Sequence, residues 1–229
     1  MVSETQIGAQ LRTENTHHRQ IAPTFRWGNF AIGENFVIVV SKEIDETILI
    51  YDRIRTYKYR VRVIDLDLTF ELTFSPKHYH HLVGFHHLLD QKTISTPISA
   101  DRFYRDIRNG RVRKERIVRS SFYESIKDRI VNFYRIEEML NNRELQIVVE
   151  FDRAKAGSEI DAKFYLYQRE GNPLIGEPVT YYNLFIGKDN NTGRYYPATF
   201  VVEHSRLYAN GQSFHDCVIT VVDQESGQS

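Results

Sequence analysis

The chain is poor in the residues that would give it a covalent framework. A single cysteine, Cys217, among 229 residues excludes an internal disulfide framework and a zinc site built on thiolates. No sign of charge prevails. Lys+Arg and Asp+Glu are both 30, so any grip on nucleic acid has to come from local basic patches. No apolar run approaches the roughly 18 residues of a membrane span, and nothing at the N-terminus joins a basic start to an apolar core. A cytoplasmic protein without membrane contacts is the expectation. The P-loop and dinucleotide fingerprints, a GxSxG elbow and an HExxH pattern are all missing. What is plentiful is Tyr and Phe, 14 of each, within a 41% hydrophobic composition. That is enough for a real core, and it favours strands and grooves over a coiled coil.

Residues 1–20 are polar. Thr24–Phe30, Phe36–Val40 and Thr47–Tyr51 read as short strands, separated by Gly28-Asn29 and Gly33-Glu34-Asn35. Tyr57–Ile64 continues in strand style. Leu66–Phe74 alternates, with Leu66, Leu68, Phe70, Leu72 and Phe74 on one face. A short helix is expected from about Asp101 to Arg108, capped by Ser99 and ended by Asn109-Gly110. Ser121-x-x-Glu124 reads as a capping box opening a long helix to about Leu140, with Phe122, Ile126, Ile130, Phe133 and Ile136 as its apolar face. Strands follow at Leu145–Phe151, Ile160–Gln168, Tyr181–Gly187, Tyr195–Val202 and Cys217–Val222, with a hairpin turn at Asn190–Gly193. Helices ahead of a run of antiparallel strands predict an α+β fold.

The densest chemical signal is Phe74–Asp90, which holds five of the nine histidines within ten residues. Ser75 can cap a helix there, and Pro76 suits its first position. At about 100° per residue, Leu82, Phe85 and Leu89 face a core, His80 and His87 point away, and His81 and His86 flank the stripe. His81 is thus the residue best placed for chemistry near neutral pH. The plain alternative is a hydrogen-bonded helix histidine. His78 and His81, one turn apart, could instead share a metal with a distant third ligand.

Two segments are basic. Arg53, Arg55, Lys58, Arg60 and Arg62 interleave with Tyr57 and Tyr59, and Arg108–Arg119 carries Arg111, Arg113, Lys114 and Arg116 against Glu115 alone. Such patterns suit phosphate contacts with base stacking; a solvated edge strand and a charged loop are the plainer reading. Alternation along Ile160–Gln168 sets Ile160, Ala162, Phe164 and Leu166 toward the core, and Lys163, Tyr165 and Tyr167 on an open face.

Taken in order, these segments resemble a known family. They are Phe74…His81-Leu82-Val83-Gly84, Phe103-Tyr104-Arg105-Asp106-Ile107-Arg108-Asn109-Gly110, Asp128-Arg129-Ile130, Ala162-Lys163-Phe164-Tyr165-Leu166-Tyr167 and Tyr196-Pro197-Ala198-Thr199-Phe200. Together they are similar to the phage-associated Barnase–EndoU–colicin–RelE-like (BECR) nucleases. The resemblance implies helices followed by a central antiparallel sheet. It also implies a domain over 56–225, preceded by a β-rich extension over 1–55 of unassigned role. It further implies a toxin-like, metal-independent endoribonuclease in which the 2′-hydroxyl of RNA attacks the adjacent phosphate. His81, Lys163 and Thr199 would be catalytic, and Arg111, Arg113, Arg116, Arg129, Tyr165 and Tyr167 would contact RNA, with no cofactor or metal. An antitoxin or immunity protein is the implied partner. Two further classes stay open: a non-catalytic RNA- or protein-binding domain on the same scaffold, and a metal-dependent hydrolase built on His78 and His81.

Overall fold

A computed structural model describes residues 34–223. It opens with α1 (Glu34–Ile54), followed by β1 (Tyr57–Val63) and β2 (Leu68–Thr73). The histidine segment comes next: a 3-10 turn over Pro76–His78, α2 (Tyr79–Val83) and a second 3-10 turn over Phe85–His87. Helices α3 (Lys92–Ser95), α4 (Ala100–Arg108), α5 (Lys114–Val118), α6 (Glu124–Val131) and α7 (Tyr134–Asn141) complete the helical part. Strands β3 (Gln146–Glu150), β4 (Phe164–Glu170), β5 (Thr180–Lys188), β6 (Tyr195–Glu203) and β7 (Ser213–Asp223) follow.

The α+β class holds, with two corrections. The seven strands close into a barrel in the order β1-β2-β6-β5-β4-β3-β7 rather than lying as a simple central sheet. Every pairing is antiparallel except the closure, a single parallel pair between Leu72 and Tyr195. In addition, β1 and β2 precede the helices from α2 onward instead of following them.

The N-terminal strands expected at Phe36–Val40 and Thr47–Tyr51 are both parts of the one helix α1; Thr24–Phe30 lies outside the described residues. The physical reason is periodicity. Val40, Ile44, Ile48, Tyr51 and Ile54 recur every three or four residues, form one stripe and are buried. Tyr51 anchors that stripe, with its ring against Phe74, Tyr79, Tyr104 and Phe133. Truncating a fully buried ring such as Phe133 to Ala costs roughly 3–5 kcal/mol.

The helix expected from Ser121 to Leu140 is two helices. Asn132 turns its side-chain amide back onto the Asp128 carbonyl (2.9 Å), and the chain restarts at Tyr134. Ser121 does not cap it. Its backbone N–H and hydroxyl both donate to the Asp90 carboxylate, at 3.0 and 3.3 Å. Ser99 does cap α4, accepting from the Arg102 N–H at 3.3 Å.

Both faces of the sheet are covered around β4. Phe164, Leu166, Leu184 and Phe200 join the helices in the main core. On the other face Val149, Phe151, Tyr165 and Phe185 form a second cluster, over which Ile160, Ala162 and Tyr208 pack. Ile160 and Ala162 therefore lie opposite Phe164 and Leu166, because the alternation changes phase ahead of the strand. Among the described residues no helix is long and apolar enough to cross a membrane.

Candidate active site

The histidine segment is not one helix. Gly84 ends α2 at φ +87°, a conformation costly for any residue with a Cβ, and its N–H closes on the His80 carbonyl. A Cβ at this position would also meet Arg129 Cδ at 3.0 Å, Arg129 Nη1 at 3.1 Å and Ile126 Cγ2 at 3.1 Å. The glycine thus does two things: it reverses the chain and lets Arg129 of α6 come against it.

Four expected positions are corrected: His80 ahead of the break, and His86, His87 and Leu89 after it, where the helical phase restarts. His80 is buried rather than outward-facing, and its Nε2 lies 2.7 Å from the Ile94 carbonyl. Since a carbonyl only accepts, Nε2 carries the proton and Nδ1 holds the free lone pair. Leu89, expected in the core, is exposed. His86 and His87 turn back toward α2, so that the His81 and His86 rings lie 4.8 Å apart and the His86 and His87 rings 4.0 Å. His78 stands aside from this set. It accepts from the Ser75 N–H at 3.1 Å and stacks on Tyr196 at 5.5 Å.

Arg129 links the cluster to the barrel. Its Nη1 donates to Thr199 Oγ1 at 3.2 Å, and that hydroxyl donates to the His81 carbonyl at 3.3 Å. His81, Arg129 and Thr199, three of the expected site residues, are therefore brought together from α2, α6 and β6. The guanidinium is mostly buried, burial pulls its pKa down to about 10, and no carboxylate pairs with it among the described residues. A largely buried cation lacking a counter-ion is costly, and an anion placed beside it would be favoured.

The imidazoles around it are neutral near pH 7. Burial is the main cause throughout; it brings His86 to about 3 and His87 to about 4, aided by neighbouring histidines and by Arg129. His81 is lowered by burial and then by Arg129, yet its side chain is exposed, so the ring is both unprotonated and open to a substrate. Tyr208 lies in the same field. Burial and Glu203 raise its phenol while Arg129 opposes them.

One nitrogen each from His80, His81 and His86 lie within 4.8 Å of one another, so these three, rather than His78 with His81, are the residues that could hold a transition metal. The protonated Nε2 of His80 and the unpartnered, buried Nδ1 of His86 suit such a role. The Arg129 charge opposes it and favours an anion at the same place.

The remaining expected residues lie elsewhere. Lys163 is exposed two strands from β6 and lines another cleft, with Asp152, Arg153 and Asp161. Tyr165, expected on an open face, is fully buried, and its hydroxyl donates to the Tyr208 carbonyl at 3.1 Å. Tyr167 is half-buried at the rim of a separate groove. Arg111, Arg113 and Arg116 line a cavity of about 680 Å³ with Lys92 and Arg102; Arg111 pairs with Asp106, and Arg116 donates to Gln91. His80, His86 and His87 were missed as members of the site. For His86 and His87 the signal was Gly84, which ends the helix expected to continue through it.

Residues 55–217 match the family described as phage-Barnase-EndoU-ColicinE5/D-RelE like nuclease4. The chain belongs to that family. This is the family the ordered segments resembled, and its members are nucleases, so nucleic acid is the substrate class it implies. His81, Arg129 and Thr199 all lie within the matched span, as does the whole barrel up to the first half of β7. No curated protein and no solved structure matches the chain significantly.

Proposed function

We propose that the chain is a metal-independent endoribonuclease whose reacting phosphate sits between Arg129, Thr199 and the imidazole of His81. The observation that carries this reading is the largely buried Arg129 guanidinium, without a carboxylate partner, beside an exposed neutral imidazole. In cleavage by transesterification the 2′-hydroxyl attacks the adjacent phosphorus, and the bond to the 5′-oxygen breaks. His81, unprotonated at neutral pH, takes the hydroxyl proton. Arg129, with the Thr199 hydroxyl, meets the charge that develops on the phosphorane oxygens, where a preformed cation acts most strongly. The proton acquired by His81 is then available to the departing 5′-oxygen, so a 2′,3′-cyclic phosphate and a 5′-hydroxyl result.

This assignment gives Arg129 a charge-stabilising role and leaves Lys163, catalytic by the family resemblance, outside the reacting site. It also leaves no step that needs a metal, since the guanidinium supplies the positive charge. A toxin-like nuclease of this kind calls for an antitoxin or immunity protein as a partner in the cell that makes it.

The test is incubation of purified protein with mixed RNA in excess EDTA, with His81→Ala as control. Cyclic-phosphate ends from the wild type, reduced at least ~10²-fold in a folded His81→Ala variant, are expected. Activity that requires added metal would instead favour a hydrolase built on the three imidazoles. Binding without cleavage would favour a non-catalytic domain.

A further inference from the structure

We propose that the groove between Tyr167, Tyr181 and Phe214 holds an unpaired nucleobase of the same RNA strand whose phosphate lies at Arg129; this rests on RNA as the substrate. The groove has a volume of about 520 Å³ and is rimmed by β3, β4, β5 and β7. The Tyr167 ring lies 5.9 Å from Tyr181, tilted by 32°, and 5.6 Å from Phe214, edge-on at 89°. Three rings grouped in this way, half-buried rather than sealed in the core, leave faces open for a flat partner. Arg206 lies over Phe214 at 5.5 Å, and Arg169 stands in line with Tyr167 on β4. Both arginines are exposed, and neither pairs with a carboxylate among the described residues. Aromatic faces combined with unpaired cations are the chemistry of single-stranded nucleic-acid recognition.

Strand register ties this groove to the phosphate site. Thr199 pairs with Phe185, and Phe185 pairs with Tyr165. Tyr167 is the next residue of β4 on that same face, so it stands two strands, about 10 Å, across from β6. The segment between the two sites is Glu203–Tyr208. Tyr208 lies in the field of Arg129, while Arg206 acts on the phenol of Tyr167. The intervening carboxylate, Glu203, is already engaged by Asn183 Nδ2 at 3.0 Å and by the Leu207 N–H at 3.2 Å. The sheet face between the two sites is covered, so a strand anchored at Arg129 would reach the rings across the Glu203–Tyr208 segment.

The probe is a 2′-O-methyl hexanucleotide, uncleavable because the attacking hydroxyl is blocked, with 2-aminopurine placed at each position in turn. Binding should quench fluorescence strongly at one position. Tyr167→Leu and Phe214→Leu, which keep apolar bulk on the cluster beneath, should abolish that quenching. Arg129→Met should weaken affinity but leave the quenching at saturation. With cleavable RNA, Tyr167→Leu should raise KM for a hexamer about tenfold, as loss of one base stack does. Uniform quenching along the probe, or quenching that survives both leucine variants, would overturn the proposal. If the wild type cut no RNA, the nuclease reading would fail, while the quenching would still decide the groove.

Discussion

Arg129 Nη1 donates to Thr199 Oγ1 across 3.2 Å, a bond that joins α6 to β6 where α2 packs on the barrel. It holds the guanidinium in place without neutralising it, because a hydroxyl brings no charge. Thr199 passes the constraint on by donating to the His81 carbonyl, so one threonine positions both the Arg129 cation and the backbone of His81.

Thr199→Val should therefore lower turnover more than it weakens RNA binding, since the misplaced groups act mainly on the developing charge. Thr199→Ser should restore most of the rate. Lys163→Ala should leave single-turnover cleavage within a few-fold of wild type, because the lysine lines a different cleft. A loss of about 10²-fold on Lys163→Ala would transfer the charge-stabilising role from Arg129 to the lysine.

The cavity lined by Arg111, Arg113 and Arg116 makes a separate prediction. Contacts with phosphates set affinity and register rather than sequence preference. Changing all three to Gln should weaken binding to unrelated RNAs and flatten the dependence of log K on log salt. Each lost contact should reduce the slope by about 0.7. An unchanged slope would mean that these arginines only serve contacts such as Arg111–Asp106.

Much of this architecture was legible in the sequence, and each failure has its own physical cause. Strands β1, β2 and β5–β7 and the Ser99 cap followed from local pattern alone. In α1, β-branched residues such as Val39, Val40, Thr47 and Ile48 suggested strands by propensity, although the buried stripe through Val40, Ile44 and Ile48 has helical spacing. In the histidine segment a single positive φ at Gly84 reset every position after it, which no helical projection shows. Ahead of that break His81 was found, but His80, which is buried, was set facing outward; His86 and His87 were misplaced because they follow the break. Tyr165 was set on an open face because alternation separates two faces without telling whether both are covered, and in this barrel loops cover the second. Barrel closure rests on a single parallel pair, which leaves no periodic trace.

Acid should destabilise the fold through the cluster. In the unfolded chain the histidines take up protons near pH ~6.5. In the folded chain His78 and His87 resist until about pH 4 and His86 until about pH 3. Stability is thus complete above about pH 6.5 and is lost as pH falls toward about 3–4. Thermal midpoints measured from about pH 7 to 4 should fall steeply for the wild type and less so for His86→Gln. Parallel curves for the two proteins would show that His86 is not held neutral by its site.

The central claim is that Arg129 is buried without a counter-ion because the substrate supplies one. Arg129→Met, with thermal stability and single-turnover cleavage measured on the same preparation, tests this most directly. Replacing an unpaired buried cation by an apolar chain of similar length removes a desolvation cost. The expected result is a thermal midpoint equal to or above that of the wild type, together with a cleavage rate lower by about 10²–10³. A destabilised variant whose folded fraction cleaves RNA at the wild-type rate would contradict the claim.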